Sequence, residues 1–216
     1  MIPDPDFEIL IATHNPGKIR EVHQALDSLH LKIRQLNEFS NASLVDEVGK
    51  TYEENAVLKA LSYAKQTGVS ALADDSGLEV DALGGKPGLY SARFGGENIS
   101  DHTRIEKLLA ALAEHKGTRF SARFVCCMAL AGWHFEEERR LGEEPQLLVV
   151  TEATCEGVIA PKPRGMNGFG FDAVFVPEGY LKTLAELSAD VKAAISHRAR
   201  ALAAIRAFLN TSLHQT

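Results

Sequence analysis

Cysteine is scarce in this chain: Cys126, Cys127 and Cys155 are all it has. No two of them show Cys-x-x-Cys spacing, so neither a zinc site nor a disulfide framework is indicated. Cys126 and Cys127 lie in an apolar run and read as small core residues. Basic charge is in deficit, with 23 Lys and Arg against 29 Asp and Glu, a net of −6. That argues against nucleic acid as a partner. It leaves room for a phosphorylated small molecule held by a few local cations. No apolar run approaches the ~20 residues that cross a bilayer, so no membrane partner is expected. Met1 to Glu8 carries two prolines and three acids where a signal peptide would have a basic start and an apolar stretch. A reduced, cytoplasmic setting is the expectation. The P-loop, Gly-x-Gly-x-x-Gly, His-Glu-x-x-His and Gly-x-Ser-x-Gly patterns are all missing. Trp133 is the single tryptophan and suggests no function.

What is present suits one sizeable globular domain over residues 1–216, or two lobes of it sharing a cleft, since 45% of the residues are apolar. The chain is organised around Leu72 to Gly96, LADDSGLEVDALGGKPGLYSARFGG. Val69 to Ala73 reads as a short buried strand. Asp74 and Asp75 stand at its end, Ser76-Gly77 reads as a turn, and Leu78 to Ala82 alternates as a second strand. Paired carboxylates at a strand end can hold a hard cation and activate a water. Asp, Ser and Gly are also ordinary turn residues.

Phe7 to Ala12 reads as a strand. It runs into Thr13-His14-Asn15-Pro16-Gly17-Lys18 and then a helix with Ile19, Val22, Leu26 and Leu29 on one face. Such a junction can aim N–H groups and a helix dipole at an anion, with Lys18 as added charge, or can simply connect two elements. Leu31 to Leu36 suits a strand. Thr51-Tyr52-Glu53-Glu54 fits a capping box for a helix with Val57, Ala60, Leu61 and Ala64 on one face, stopped by Gly68. Asp46 and Glu47, in the loop before it, are free to reach a metal or to remain solvated. Ser100-Asp101 opens a helix ending at Gly117. Phe120 to Ala131 and Leu147 to Ile159 read as long strands, joined by an exposed connection with the charge run Glu136 to Arg140. Pro161 to Asp172 is a glycine-rich loop leading into a strand, Phe171 to Val176. Phe169, Phe171 and Asp172 could stack a base and read its edge, or the rings could enter the core. The last segment reads as helix, with Lys192, Ser196, His197 and Arg198 among its polar positions.

Four motifs in this order, Thr13 to Lys18, Ala73-Asp74-Asp75-Ser76-Gly77-Leu78, Phe169-Gly170-Phe171-Asp172 and Ser196-His197-Arg198, resemble the inosine triphosphate pyrophosphatase family. The resemblance extends to Glu54-Asn55-Ala56 with Lys59, to Gly84 through Arg93, and to Lys192. It implies an α/β fold, a long mixed sheet with flanking helices forming two lobes around a central nucleotide cleft, and a homodimer. It implies Mg²⁺-dependent hydrolysis of ITP, dITP, XTP and dXTP to the monophosphate and pyrophosphate. On that pattern Thr13, His14, Asn15, Pro16, Gly17 and Lys18 cradle phosphate. Asp75 is base and metal ligand, and Ser76 contacts substrate. Phe169, Gly170, Phe171 and Asp172 form the base wall, with Lys192, His197 and Arg198 as further nucleotide contacts. The family's usual glutamate pair is here Asp46-Glu47, and which of the two reaches the metal is left open. Two other readings compete: a pyrimidine-directed pyrophosphatase of the septum-formation-inhibitor type, and a nucleotide sensor without catalysis.

Overall fold

The computed structural model describes residues 7–29, 31–133 and 142–214. The charge run 136–140 lies outside the described residues. Six strands form one sheet: β1 (Glu8–Ile11), β2 (Lys32–Gln35), β3 (Ser70–Val80), β4 (Phe120–Gly132), β5 (Gln146–Ile159) and β6 (Phe175–Pro177), in the order β2-β1-β3-β4-β5-β6. β1 runs parallel to β2 and to β3, with Leu10 opposite Arg34 and Ala71. β6 runs antiparallel to β5, with Val176 opposite Val158. The sheet is therefore mixed, as expected. Helices α1 (Pro16–Leu26), α2 (Tyr52–Thr67), α3 (Asp101–Ala113), α4 (Ala189–Ile195) and α5 (His197–His214) complete the α/β architecture.

The chain divides into two compact units: residues 1–75, 127–152 and 200–216 form one, and residues 76–126 and 153–199 the other. In the first, the parallel pairs of β1 require crossovers, which α1 and α2 supply. Ile9, Leu10, Ile11, Leu26, Leu202 and Ile205 are buried there. In the second, Leu78, Leu108, Leu112, Phe171, Phe175 and Leu184 belong to one buried cluster.

Several boundaries differ from the sequence reading; α3 ends at Ala113, short of Gly117. Asp74 to Gly77 is not a turn between two strands, because β3 runs unbroken through it. Buried carboxylates with partners in place let the extended chain continue where composition suggests a bend. Phe171 to Val174 is turn, and β6 starts only at Phe175. The last helical segment breaks at Ser196, whose ψ of 154° is extended. Its hydroxyl accepts from the Ala199 N–H at 3.1 Å, so this residue, read as a polar helix position, works as the cap of α5.

Candidate active site

The first unit carries a cluster of acids and lysines. β1 leads into Asn15, whose Oδ1 accepts from the N–H of Gly17 at 2.8 Å and of Lys18 at 3.3 Å, with Pro16 at the first helical position. Thr13 Oγ1 accepts from the Asn15 N–H at 3.2 Å. The helix start is thus closed by its own side chain. The cationic part of the predicted phosphate cradle is Lys18, whose Nζ lies 2.9 Å from Asp74 Oδ2. His14 and Pro16 are exposed and Gly17 is buried.

α2 supplies the partners of Asp75. Thr51 caps it, accepting from the Glu54 N–H at 3.0 Å. The Glu54 carboxylate accepts from the Lys50 N–H at 2.5 Å, where the capping box would have it turn to Thr51. The buried face is Asn55, Ala56, Lys59, Ala60, Tyr63 and Ala64, whereas Val57 and Leu61, read as core, are half-buried. Asn55 Oδ1 accepts from the Gly49 N–H at 2.8 Å, which turns its amide to donate to Asp75 Oδ2 at 3.0 Å. Lys59 Nζ lies 2.6 Å from Glu47 Oε1, 2.6 Å from the Asp74 carbonyl and 3.6 Å from Asp75 Oδ1. Asp46 is exposed.

Burial of Asp75, 6% exposed, pushes its carboxyl above the ordinary 3.8, and the Lys59 ammonium offsets this only in part. Burial would lower Lys59, but Asp75, Asp74 and Glu47 together hold it above the ordinary 10.5. Oxygen donors from Glu47 and Asp75 converge on one positive charge, and hard oxygen ligands are the chemistry Mg²⁺ takes. Among the described residues no three His, Cys, Asp or Glu side chains gather as a ready metal cluster. Mg²⁺ commonly uses one or two carboxylates, with substrate phosphates and water completing its shell, so the pair fits that ion.

The second unit holds the other predicted residues. Asp172 Oδ2 accepts from the Phe169 N–H at 2.9 Å and lies 2.6 Å from Lys192 Nζ. Lys192 and Arg198 stand over the Phe169 ring, 4.8 and 5.6 Å from its centre. Arg198 Nη2 donates to Ser76 Oγ at 2.9 Å. His197 stacks on Phe124, with ring centres 4.6 Å apart and planes 10° apart. His197 and Arg198 are both buried, not on the exposed face of a helix. Phe171 is buried, its ring edge-on to Phe94 at 6.5 Å. Phe169 is only half-buried, with the Lys192 and Arg198 cations over its ring.

Asn55 and Lys59 were not singled out as site residues from the sequence. Their signal was there: a polar i, i+4 pair, each member directly followed by an alanine of the buried face, Ala56 and Ala60. The three cysteines are free and buried, and burial pushes the Cys127 thiol up to about 12. A thiol so protonated is a poor nucleophile. Cys127 is expected to resist a thiol reagent at pH 8 in the native protein and to react on unfolding; fast native labelling, located by mass spectrometry, would contradict this burial.

A mixed-sheet α/β chain with a lysine-bridged acid cluster in one unit and a cation-faced aromatic in the other is the class these features define. Solved Ham1 proteins share its fold. The structure from Coxiella burnetii is 40% identical, covers 95% of this chain and 99% of that one, and has a TM-score of 0.80. The Staphylococcus aureus Ham1 protein is also 40% identical, with a TM-score of 0.77 over 94% and 98% of the two chains. The Ham1 family model matches residues 9–208, and the chain belongs to that family. A Bacillus anthracis relative described as a dITP/XTP pyrophosphatase is 45% identical over 195 residues, 90% of this chain and 92% of its own. One from Bacillus subtilis with the same description is 43% identical over 90% and 93%. The four motifs thus identified the family from sequence.

Proposed function

We infer that this chain hydrolyses non-standard purine nucleoside triphosphates, ITP, dITP, XTP and dXTP, to the monophosphate and pyrophosphate, and so cleanses the nucleotide pool. The observation that carries the reading is the meeting of Glu47 and Asp75 at one cation, beside the Asp74–Lys18 pair, in a chain so close to named dITP/XTP pyrophosphatases.

The reaction forms a bond from water to the α-phosphorus and breaks the bond to the bridging oxygen, releasing pyrophosphate. Asp75 is the proposed proton acceptor. Burial raises its pKa in the metal-free chain, so it is a stronger base there than an exposed aspartate. Asn55 fixes one carboxylate oxygen, leaving the other toward Lys59. Lys18 exchanges Asp74 for a phosphate oxygen. Glu47, which meets the Lys59 ammonium, rather than Asp46, would hold Mg²⁺ with Asp75. Bound there, the ion would neutralise phosphate charge and acidify a water. The base is assigned to Phe169, whose face stacks it. Lys192 and Arg198 are donors only, so they favour a 6-keto group over the 6-amino group of adenine. The resemblance is also the ground for proposing a homodimer and a cytoplasmic setting. Among the described residues, no helix is long and apolar enough to cross a membrane.

A product assay with Mg²⁺ tests this. ITP and XTP should give pyrophosphate and monophosphate, with ATP, which lacks the 6-keto group, turned over far more slowly. Orthophosphate and diphosphate would mean γ-phosphate cleavage and sink the mechanism. Turnover confined to pyrimidine triphosphates would sink the substrate assignment.

A further inference from the structure

Asp101, the first residue of α3, makes two contacts that an acid at a helix start does not require. Its Oδ2 accepts from the Gly170 N–H at 2.6 Å, 69 positions away in sequence. Its Oδ1 accepts from Arg104 Nη1 at 2.8 Å. Arg104 is 8% exposed and also reaches the Ile99 carbonyl at 3.4 Å, so the carboxylate is steered from behind by a fixed guanidinium. An acid in the first helical turn favours the dipole in any case. Here Ser100 already caps the helix, accepting from the Thr103 N–H at 3.1 Å, and the dipole would be served equally by a carboxylate turned to solvent.

We propose that Asp101 is a positioning residue for base recognition, tethering the loop that presents Phe169. The inference rests on the assignment of the base to Phe169. Gly170 has a positive φ of 60°, and a Cβ built there would meet nothing within 4 Å. Glycine there offers no side chain to pack. The Phe169 N–H is anchored within its own loop, by Asp172. The Gly170 N–H belongs to the next peptide group, and Asp101 anchors it from another element. Phe169 is thus fixed on both sides, and the outer anchor is an N–H to carboxylate bond, among the stronger hydrogen bonds available. Losing it leaves that peptide held only from within the loop, by the Asp172 N–H on the Phe169 carbonyl at 3.2 Å, so the ring's direction is less tightly set.

The test is binding of IMP, which keeps the base and cannot be turned over, by calorimetry on the full chain, with the melting temperature read alongside. Asp101→Ala should weaken IMP by about tenfold, the equivalent of about 1.4 kcal/mol. Asp101→Ser keeps a residue suited to a helix start but is too short to reach Gly170, and should lose as much. Asp101→Asn still offers an oxygen to the Gly170 N–H and should stay within about threefold of the parent. Undiminished IMP binding by the Ala and Ser variants would overturn the tether. So would an Asn variant as weak as Ala, since charge toward Arg104 would then be what matters. Failure of the parent protein to bind IMP would remove the base assignment itself, and the tether with it.

Discussion

Asp75→Asn is expected to lower kcat for ITP by about 10³-fold, the scale of losing a general base, while the melting temperature at pH 7 stays level or rises. The two halves of that result come from one cause. Burial raises the folded pKa of Asp75 above 3.8. The folded state then holds this proton more tightly than the unfolded chain does. Stability contributed here falls as pH rises from about 3.8 through the folded value, and at neutral pH the ionised carboxylate is a net burden. The asparagine amide removes that burden; it also removes the Asp75 attraction for Lys59, but Asp74 and Glu47 remain to compensate the ammonium. Its oxygen can still accept from Asn55 or Lys59. Retained activity would end the assignment of Asp75 as base. A large fall in melting temperature would mean that the carboxylate is structural, and that lost turnover reports unfolding.

Lys59→Met should be strongly destabilising. The ammonium is buried among Glu47, Asp75 and the Asp74 carbonyl. Removing one member of a buried ionic group costs about 3–5 kcal/mol, because the remaining charges are left uncompensated. Glu47 is partly exposed, which places the expected loss near the lower figure. The pH dependence has a definite sign. Lys59 has a folded pKa above 10.5, so its contribution is complete below 10.5 and disappears only as pH rises through that higher value. The difference between parent and variant should therefore be full at pH 8. Toward pH 4 it should narrow, as the orphaned carboxylates take up protons. Denaturant unfolding at both pH values measures it. Mg²⁺ should raise the melting temperature of Lys59→Met more than that of the parent, since it would fill the position the ammonium left. Equal shifts would place the metal elsewhere, and an unchanged stability at pH 8 would remove Lys59 from the cluster.

The parallel β1–α1–β2 unit was legible because hydrophobic period and cap chemistry agree there: Asn15, Pro16 and the Val22–Leu26 face all point to one helix. The strands β4 and β5 are long apolar runs and were placed within a residue or two. The centre of β3 was misread. Asp, Ser and Gly bend a chain when they face water, and nothing local says that Asn55 and Lys59 will arrive from another helix to satisfy Asp75. The same missing information shifted the buried face of α2, since a lysine at an inward position reads as outward until its acids are known. Phe169 and Phe171 are two residues apart in one glycine-rich loop. Only the tertiary packing of Phe94 against Phe171 separates the core ring from the half-buried one. Asp101 carried a helix-start signal that hid its second contact, with Gly170.

Lys59 also bears on how the chain is made. Small metalloproteins that build a site from bare acids or thiolates stay unfolded until the ion arrives, because binding energy is folding energy. Here the acids close on a cation encoded in the same chain. A newly synthesised molecule can reach its native state at any free Mg²⁺ level, and EDTA should not unfold it. Metal supply would then govern when this protein works, and leave untouched whether it survives.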